Sequence, residues 1–289
     1  MAIADFSKEG SPRLSPRLSL PVALQRINGA CLQRFSHNAE ILLDARSPEA
    51  VHAARVALRQ LRTALDNFKD MLPQAEFRIF RQRLRDMASL LGEVRDLDVI
   101  LERMVPNTMH DRLLAERENA WEVLEAELRS GAAQRLSDEL THWLRQGRWR
   151  RDPAVRLQRN QALTPFAARL LDRQVRKLGK HGKHFRKLDD DGRHRLRKDA
   201  KRLRYSAEAF AALFPAKGGT RRKFLTALRE FQNRLGDLND RRIEREHMSA
   251  EASPDAPLAP QSWLGEQGDM IDAAARSWKR LKHAKPFWK

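Results

Sequence analysis

Apolar residues recur every three or four positions along most of the chain from about Leu20 onward, which is the pattern of amphipathic helices. Proline and glycine pairs such as Leu72-Pro73 and Gly218-Gly219 interrupt this pattern where helices are expected to end. Alternating segments joined by turn pairs such as Asn-Gly, the pattern typical of strands, are missing from the sequence. The pattern therefore predicts an all-α protein with helices near 20–45, 48–71, 74–104, 108–130, 132–147, 162–187, 191–214, 219–248 and 261–284.

The helices fall into two halves on either side of Asp152-Pro153. We expect a flexible basic N-terminal tail at 1–19, a first helical half at 20–150 and a second at 151–289. About four helices in each half predict two antiparallel four-helix bundles.

One motif occurs twice, 142 positions apart, and combines a histidine with three basic residues at helical spacing. Its two copies are His52, Arg55, Arg59 and Arg62, and His194, Arg197, Lys201 and Arg204. A second motif, Leu-Gly-x-x-x-Asp, follows each copy at 91–96 and 235–240. Such a repeat predicts an internal duplication, with the two bundles related by a pseudo-two-fold axis.

The repeated basic residues form a row of their own on each helix. At 100° per residue, Leu58, Leu61 and Leu65 make an apolar stripe, and the basic residues fall together on a flanking face. Like charges at these spacings repel one another, so the row is unfavourable without a bound anion. A solvated helix face is the plain alternative for one row, but two copies of the same row favour a function in binding anions.

The following helices carry further arginines that are secondary binding candidates: Arg78, Arg81 and Arg85, and Arg222 and Arg229. The alternative for these arginines is ion pairing with an acidic row at Glu116, Glu118, Glu122 and Glu125. Four further carboxylates, Asp96, Asp98, Asp237 and Asp240, have two interpretations, a divalent-cation site or ion pairs that position arginines. We favour the ion pairs, and expect no metal ion and no cofactor, because so many arginines neutralise nearby carboxylates.

The composition indicates a polyanion as the partner. The net charge is +18 and the pI is about 10.9, far beyond what solubility requires. The single cysteine, Cys31, excludes an intramolecular disulfide. No apolar run reaches the length of a membrane span and no secretory signal is seen, so we expect a cytoplasmic protein that does not bind membranes.

Nucleic acid and inorganic polyphosphate are the two polyanions to weigh. Proteins that bind single-stranded nucleic acid usually place aromatic side chains among the basic ones, for stacking on bases. Only Tyr205 lies beside the rows here, so the rows favour phosphate alone. A nucleic-acid-binding protein remains the alternative. A metal-dependent polyphosphate-processing enzyme is a third possibility, although no nucleophile–base arrangement is found.

The two histidine motifs and the two Leu-Gly-x-x-x-Asp motifs together resemble the CHAD family, the conserved histidine α-helical domain, over residue 20 to the C-terminus. The resemblance implies two four-helix bundles with a basic cavity or groove, and non-catalytic binding of inorganic polyphosphate. It also implies association with polyphosphate granules, with nucleic acid bound only weakly as a nonspecific polyanion. Carried over by position, the binding residues are His52, Arg55, Arg59, Arg62, His194, Arg197, Lys201 and Arg204.

Overall fold

The structure, a computed structural model, describes residues 14–102, 108–215, 217–250 and 261–289. These residues form α-helices and short turns with no strand, which confirms the predicted all-α fold. None of the described helices is both long enough and apolar enough to cross a membrane. Ten α-helices are seen in these ranges: α1 (Leu20–Asp44), α2 (Pro48–Asn67), α3 (Gln74–Leu101), α4 (Thr108–Arg129), α5 (Ala132–Gln146), α6 (Arg156–Arg159), α7 (Leu163–His181), α8 (Asp190–Phe210), α9 (Thr220–Ala250) and α10 (Gln261–His283).

The chain divides into two compact units, Met1–Leu163 and Thr164–Lys289. In the first unit α1 packs on α2, α4 and α5, and α3 packs on α2 and α4. In the second unit α9 packs on both α8 and α10. The paired helices α2 and α3, and the paired helices α8 and α9, carry the repeated motifs, so each unit presents its copy on two neighbouring helices.

The predicted apolar stripes form the core of each unit. Leu58, Leu61, Leu65 and Phe68 are at most 2% exposed in the first unit. Leu196, Ala200, Leu203, Ala207 and Phe210 are at most 1% exposed in the second. Burying a large side chain of this kind contributes about 1.5–3 kcal/mol, so these stripes fix which face of α2 and of α8 stays outside.

The two motif helices begin with the same kind of cap, again 142 positions apart. The hydroxyl of Ser47 accepts a hydrogen bond from the backbone N–H of Ala50 at 3.1 Å, and Pro48 occupies the first turn of α2. The carboxylate of Asp189 accepts one from the N–H of Gly192 at 2.7 Å at the start of α8. Each cap satisfies a backbone donor that the helix leaves unpaired.

The predicted tail at 1–19 falls largely on residues 1–13, which lie outside the described residues. From Leu14 to Ser19 the chain makes a short turn before α1, and the side chain of Leu14 is 7% exposed. Leu14 therefore contributes to the core of the first unit. Between the two halves, the predicted break at Asp152-Pro153 lies in a run of short 3₁₀ turns and α6, where Asp152 accepts a hydrogen bond from the N–H of Ala154.

Candidate functional site

The first basic cluster is defined here as the row on α2 together with the arginines of α3, namely His52, Arg55, Arg59, Arg62, Arg78, Arg81 and Arg85. His52 is exposed, and the three arginines of the row are half-buried because they flank the core stripe. Arg78, Arg81 and Arg85 lie on α3 at spacings of three and four residues and are exposed. The packing of α3 on α2 brings the two sets onto adjacent helices.

Arg62 is at the centre of this cluster. Burial lowers the pKa of its guanidinium, and the neighbouring charges of Arg81, Arg85 and Arg59 lower the pKa further. Asp66, one turn along α2, acts in the opposite direction. Arg62 thus lies close enough to Arg59, Arg81 and Arg85 for their like charges to repel it, and a bound anion would offset that repulsion.

Two carboxylates bind arginines of the first cluster and fix their position. Asp96 receives both terminal nitrogens of Arg55, at 2.7 and 3.3 Å, and Arg55 also donates to the carbonyl oxygen of Gly92 at 3.4 Å. Asp66 accepts a hydrogen bond from Nε of Arg81 at 2.9 Å. Asp96 therefore serves as an arginine partner, the interpretation that we favoured over a cation site.

The second basic cluster is defined as His194, Arg197, Lys201 and Arg204 on α8 with Arg222 and Arg229 on α9. The four residues on α8 are half-buried, Arg229 is partly exposed, and Arg222, two turns before it on α9, is exposed. Glu208 joins the two helices, because its Oε1 lies 3.9 Å from Arg204 and 3.8 Å from Arg229. Arg204 also lies over the ring of Tyr205, 5.0 Å from the ring centroid.

His194 is held at the start of the second row by Asn239 of α9. The side-chain oxygen of Asn239 accepts a hydrogen bond from Nδ1 of His194 at 3.0 Å. Burial lowers the pKa of His194; the bond to Asn239 opposes this, and the positive charges of Lys198, Arg242 and Arg197 lower the pKa further. The imidazole is therefore mostly neutral at pH 7, and a bound anion would favour its protonated form.

The acidic row of α4 is not the partner of Arg78 and Arg85. Arg46, between α1 and α2, instead pairs with both Glu118 and Glu125 and lies over the ring of Trp121. Arg46 also lowers the pKa of Glu125. Within the described residues no carboxylate lies within ion-pair distance of Arg59, Arg78 or Arg85, so these three charges are left for another partner.

Two further carboxylates that were considered for a cation site, Asp98 and Asp237, each lie close to an arginine. Asp98 is 5% exposed and accepts a hydrogen bond from Arg117 of α4 at 2.6 Å. Asp237 lies 3.6 Å from Arg234, one turn away on α9. In the part of the chain that the structure describes, no three His, Cys, Asp or Glu side chains are grouped so that they could hold a metal ion.

Sequence reasoning missed two residues of these clusters, Glu208 and Asn239. A signal for Glu208 was present, because Asp66 and Glu208 are 142 positions apart and both follow the last arginine of a row by four residues. No such signal marks Asn239, since the matching position in the first half is Arg95.

Comparison with known proteins identifies the family. A sequence model described as the CHAD domain matches residues 26–249, more than three quarters of the chain. The chain belongs to the CHAD family. CHAD domains are associated with polyphosphate binding and are generally non-catalytic.

The fold is also that of a solved CHAD domain. The crystal structure of the CHAD domain from the plant Ricinus communis matches with a TM-score of 0.71, and the match covers 94% of each chain. The two sequences are 22% identical, so this likeness concerns the fold alone. A search of curated proteins gave no match.

Proposed function

We propose that this CHAD protein binds inorganic polyphosphate through the first and second basic clusters, without cleaving it, and that this binding brings it to polyphosphate granules. The observation that carries the proposal is the group of like charges around Arg62. Burial and three neighbouring arginines make that position unfavourable for a cation until an anion is present.

Arginine-rich clusters suit a phosphate polymer. The guanidinium group presents a planar fork of donors that binds two phosphate oxygens at once, and its charge persists at every physiological pH. Arg55, Arg59, Arg62, Arg197 and Arg204 supply such forks along the two rows, and Lys201 supplies a point charge. The spacing of about one helical turn between successive cations allows one polymer to contact several of them.

The aromatic residues favour polyphosphate over nucleic acid. Every aromatic side chain on α2, α3, α8 and α9 is buried, including Tyr205, which is 5% exposed. Tyr205 was the one residue that sequence offered for stacking on a base, and Arg204 covers its ring. Without exposed rings, nucleic acid can bind these helices only through its phosphates. Polyphosphate makes the same phosphate contacts and has a higher density of negative charge, so it should bind more tightly.

The first test is competition. Titration of the protein with long-chain polyphosphate at about 0.15 M salt screens loose charge attraction beyond about 8 Å. We expect binding that pyrophosphate and a ten-fold excess of RNA, counted in phosphates, do not displace. Displacement by RNA would replace this proposal with a nucleic-acid-binding function at the same clusters.

The second test locates the binding. Arg59→Glu combined with Lys201→Glu changes one cation in each cluster, and we expect at least a hundred-fold loss of affinity. Each change removes a charge-assisted contact of about 1.5–3 kcal/mol and adds repulsion. The matched control, Arg145→Glu with Arg173→Glu, alters the net charge equally at exposed positions, one in each unit, outside the clusters. Equal losses in both variants, with helicity unchanged, would show that the clusters are not the site.

The third test concerns catalysis. Long-chain polyphosphate incubated with the protein and magnesium should keep its chain length on a gel. Shortening that requires magnesium would show an enzyme instead of a binding protein.

A further inference from the structure

A third group of cations lies on α10 and shares no residue with either basic cluster. Arg276, Lys279, Arg280 and His283 follow one another at spacings of three and four residues, so they share one face of the helix. The packing of α10 on α9 adds Lys223 from the first turns of α9 to this group. Five basic or protonatable side chains thus meet between two helices of the second unit.

These five side chains line a cavity that is widely open to solvent, and all five are exposed. Its volume is about 570 Å³. Ala227 of α9 and Ala284 after α10 complete the lining, and their small side chains leave the space between the cations open.

The charge in this cavity is largely uncompensated. Arg280 pairs with Glu230 of α9, at 3.0 and 3.2 Å. In the described ranges, no carboxylate comes within ion-pair distance of Lys223, Arg276 or Lys279. Three like charges on a cavity wall repel one another, and a bound anion would remove that repulsion.

His283 adds a further donor to the same cavity. Its Nδ1 donates a hydrogen bond to the backbone carbonyl oxygen of Lys279 at 2.7 Å, because a carbonyl oxygen can only accept. Nε2 is therefore the nitrogen left for a ligand, and it becomes a donor when the ring is protonated.

We propose that this cavity, lined by Lys223, Arg276, Lys279, Arg280 and His283, is a separate binding site for a short run of linked phosphates. Among the described residues of its lining there is no Phe, Tyr or Trp side chain, and the imidazole of His283 is the one ring beside four Lys and Arg side chains, which favours inorganic oligophosphate over a nucleotide. The run of phosphates has two possible sources, a free short oligophosphate or a segment of a longer chain.

The site is distinct from the second basic cluster although both use α9. Arg222 and Arg229 lie seven residues apart on one face of α9, and Lys223 and Glu230 lie on a face rotated by 100°. The inference stands on the cavity and its charges alone, so it does not depend on polyphosphate binding at the two clusters.

Isothermal titration calorimetry with tripolyphosphate tests the proposal, using the full chain at about 0.15 M salt. We expect Arg276→Glu with Lys279→Glu to weaken tripolyphosphate binding at least ten-fold. The matched control is Arg173→Glu with Arg176→Glu, which places the same charge change at the same spacing on exposed positions of α7. The control should bind tripolyphosphate as the unaltered protein does.

A second titration with long-chain polyphosphate separates the two sources. If Arg276→Glu/Lys279→Glu lowers the affinity for tripolyphosphate, the site binds short oligophosphate. If this variant lowers the affinity for the long chain only, the site binds a segment of a polymer. The proposal is overturned if Arg276→Glu/Lys279→Glu binds both ligands as the unaltered protein does, or if the control loses as much. If polyphosphate does not bind at the first and second basic clusters, Arg59→Glu/Lys201→Glu will instead bind the long chain with unchanged affinity.

Discussion

At the scale of single residues, the binding role that we propose for Arg62 is opposed to the stability of the ligand-free protein. The guanidinium of Arg62 is half-buried beside Arg59, Arg81 and Arg85, and only Asp66 offsets the repulsion. Like-charged neighbours on helices each cost about 0.2–0.5 kcal/mol, so the position lowers the stability of the ligand-free protein. Groups kept at such a cost are typical of binding sites.

Replacing Arg62 by methionine removes the charge and keeps an unbranched apolar chain. We expect Arg62→Met to raise the free energy of unfolding of the ligand-free protein by about 0.5–1 kcal/mol, since several repulsions of this size disappear. The same change should weaken polyphosphate binding about ten-fold. Urea denaturation and calorimetric titration measure the two effects, and a loss of stability would contradict this account of Arg62.

Asp66→Asn provides the opposite change in the same cluster. Arg81 would lose its ion pair at 2.9 Å, and the cluster would gain one positive charge. We expect lower stability in urea and tighter polyphosphate binding. Tighter binding by both Arg62→Met and Asp66→Asn would argue against an anion site at this cluster.

His194 makes a pH-dependent contribution whose sign follows from its lowered pKa. Burial favours the neutral ring in the folded protein, so the unfolded chain binds the proton more readily. This contribution to stability is complete above the ordinary histidine pKa of about 6.5, and it is lost as the pH falls from that value through the lower pKa of the folded protein. Polyphosphate favours the charged ring, so binding should instead strengthen as the pH falls.

NMR titration of the ring of His194 checks this directly. We expect a pKa below the ordinary histidine value without ligand and a higher pKa with polyphosphate bound. Asn239→Asp places a carboxylate beside Nδ1 and should raise the pKa even without ligand. A pKa that polyphosphate leaves unchanged would remove His194 from the binding residues.

The basic rows could be read from sequence, because helical spacing alone puts His52 and the three arginines after it on one face. The arginine with which each carboxylate pairs could not be read from the sequence. Asp66 and Arg81 are on different helices, and their contact depends on how α3 lies on α2. The sequence suggested Glu118 and Glu125 as partners for arginines of α3. It could not show that Arg46 is the arginine that pairs with both of them.

At the scale of elements, the caps of α2 and α8 place the basic rows. Ser47 and Asp189 each satisfy a backbone N–H in the first turn, five residues before the histidine that begins the row. The Asp189 carboxylate also interacts favourably with the positive end of the helix dipole.

We expect Ser47→Ala and Asp189→Ala each to lower the free energy of unfolding by about 1 kcal/mol, the usual cost of losing an N-cap. The larger loss should occur for Asp189, because its charge is lost as well. Polyphosphate affinity should change less than three-fold in either variant, since neither side chain belongs to the clusters. Urea denaturation measures the first effect and titration the second; an unchanged midpoint for both variants would show that the caps are dispensable.

Long periodic segments were predicted well and short ones were not. The sequence placed the start of α1, α2, α3 and α5 at the residues where the structure begins them. Predicted ends ran past Asn67 and Phe210 into the 3₁₀ turns at Lys69–Met71 and Ala211–Leu213. The apolar pattern continues through these turns, so periodicity could not detect the change in helix type. Between Arg148 and Arg159, single turns are too short to show any period.

At the scale of the whole molecule, the net charge of +18 makes the ligand-free protein repel itself. A bound polyanion both removes that repulsion and adds binding energy to the folded state. At a free polyphosphate concentration about one hundred times Kd, the stabilisation is about 2.7 kcal/mol.

We therefore expect long-chain polyphosphate to raise the unfolding temperature by several degrees at about 0.15 M salt. Arg59→Glu with Lys201→Glu should lose most of this increase, and Arg145→Glu with Arg173→Glu should keep it. Differential scanning calorimetry measures both. An increase of the same size in all three proteins would show that polyphosphate acts through net charge and not through the clusters.

The carboxylates inside the clusters have an entropic consequence for ligand binding. Asp96 holds Arg55, Asp66 holds Arg81, and Glu208 lies between Arg204 and Arg229, so these long side chains are restricted before any ligand arrives. Immobilising such a side chain at an interface costs about 0.5–1.5 kcal/mol. Here the side-chain entropy of these arginines is lost when the protein folds, and not when a ligand binds. Under the proposed function, a phosphate would bind guanidinium groups that are already held in place, so less side-chain entropy would be lost on binding than at mobile arginines.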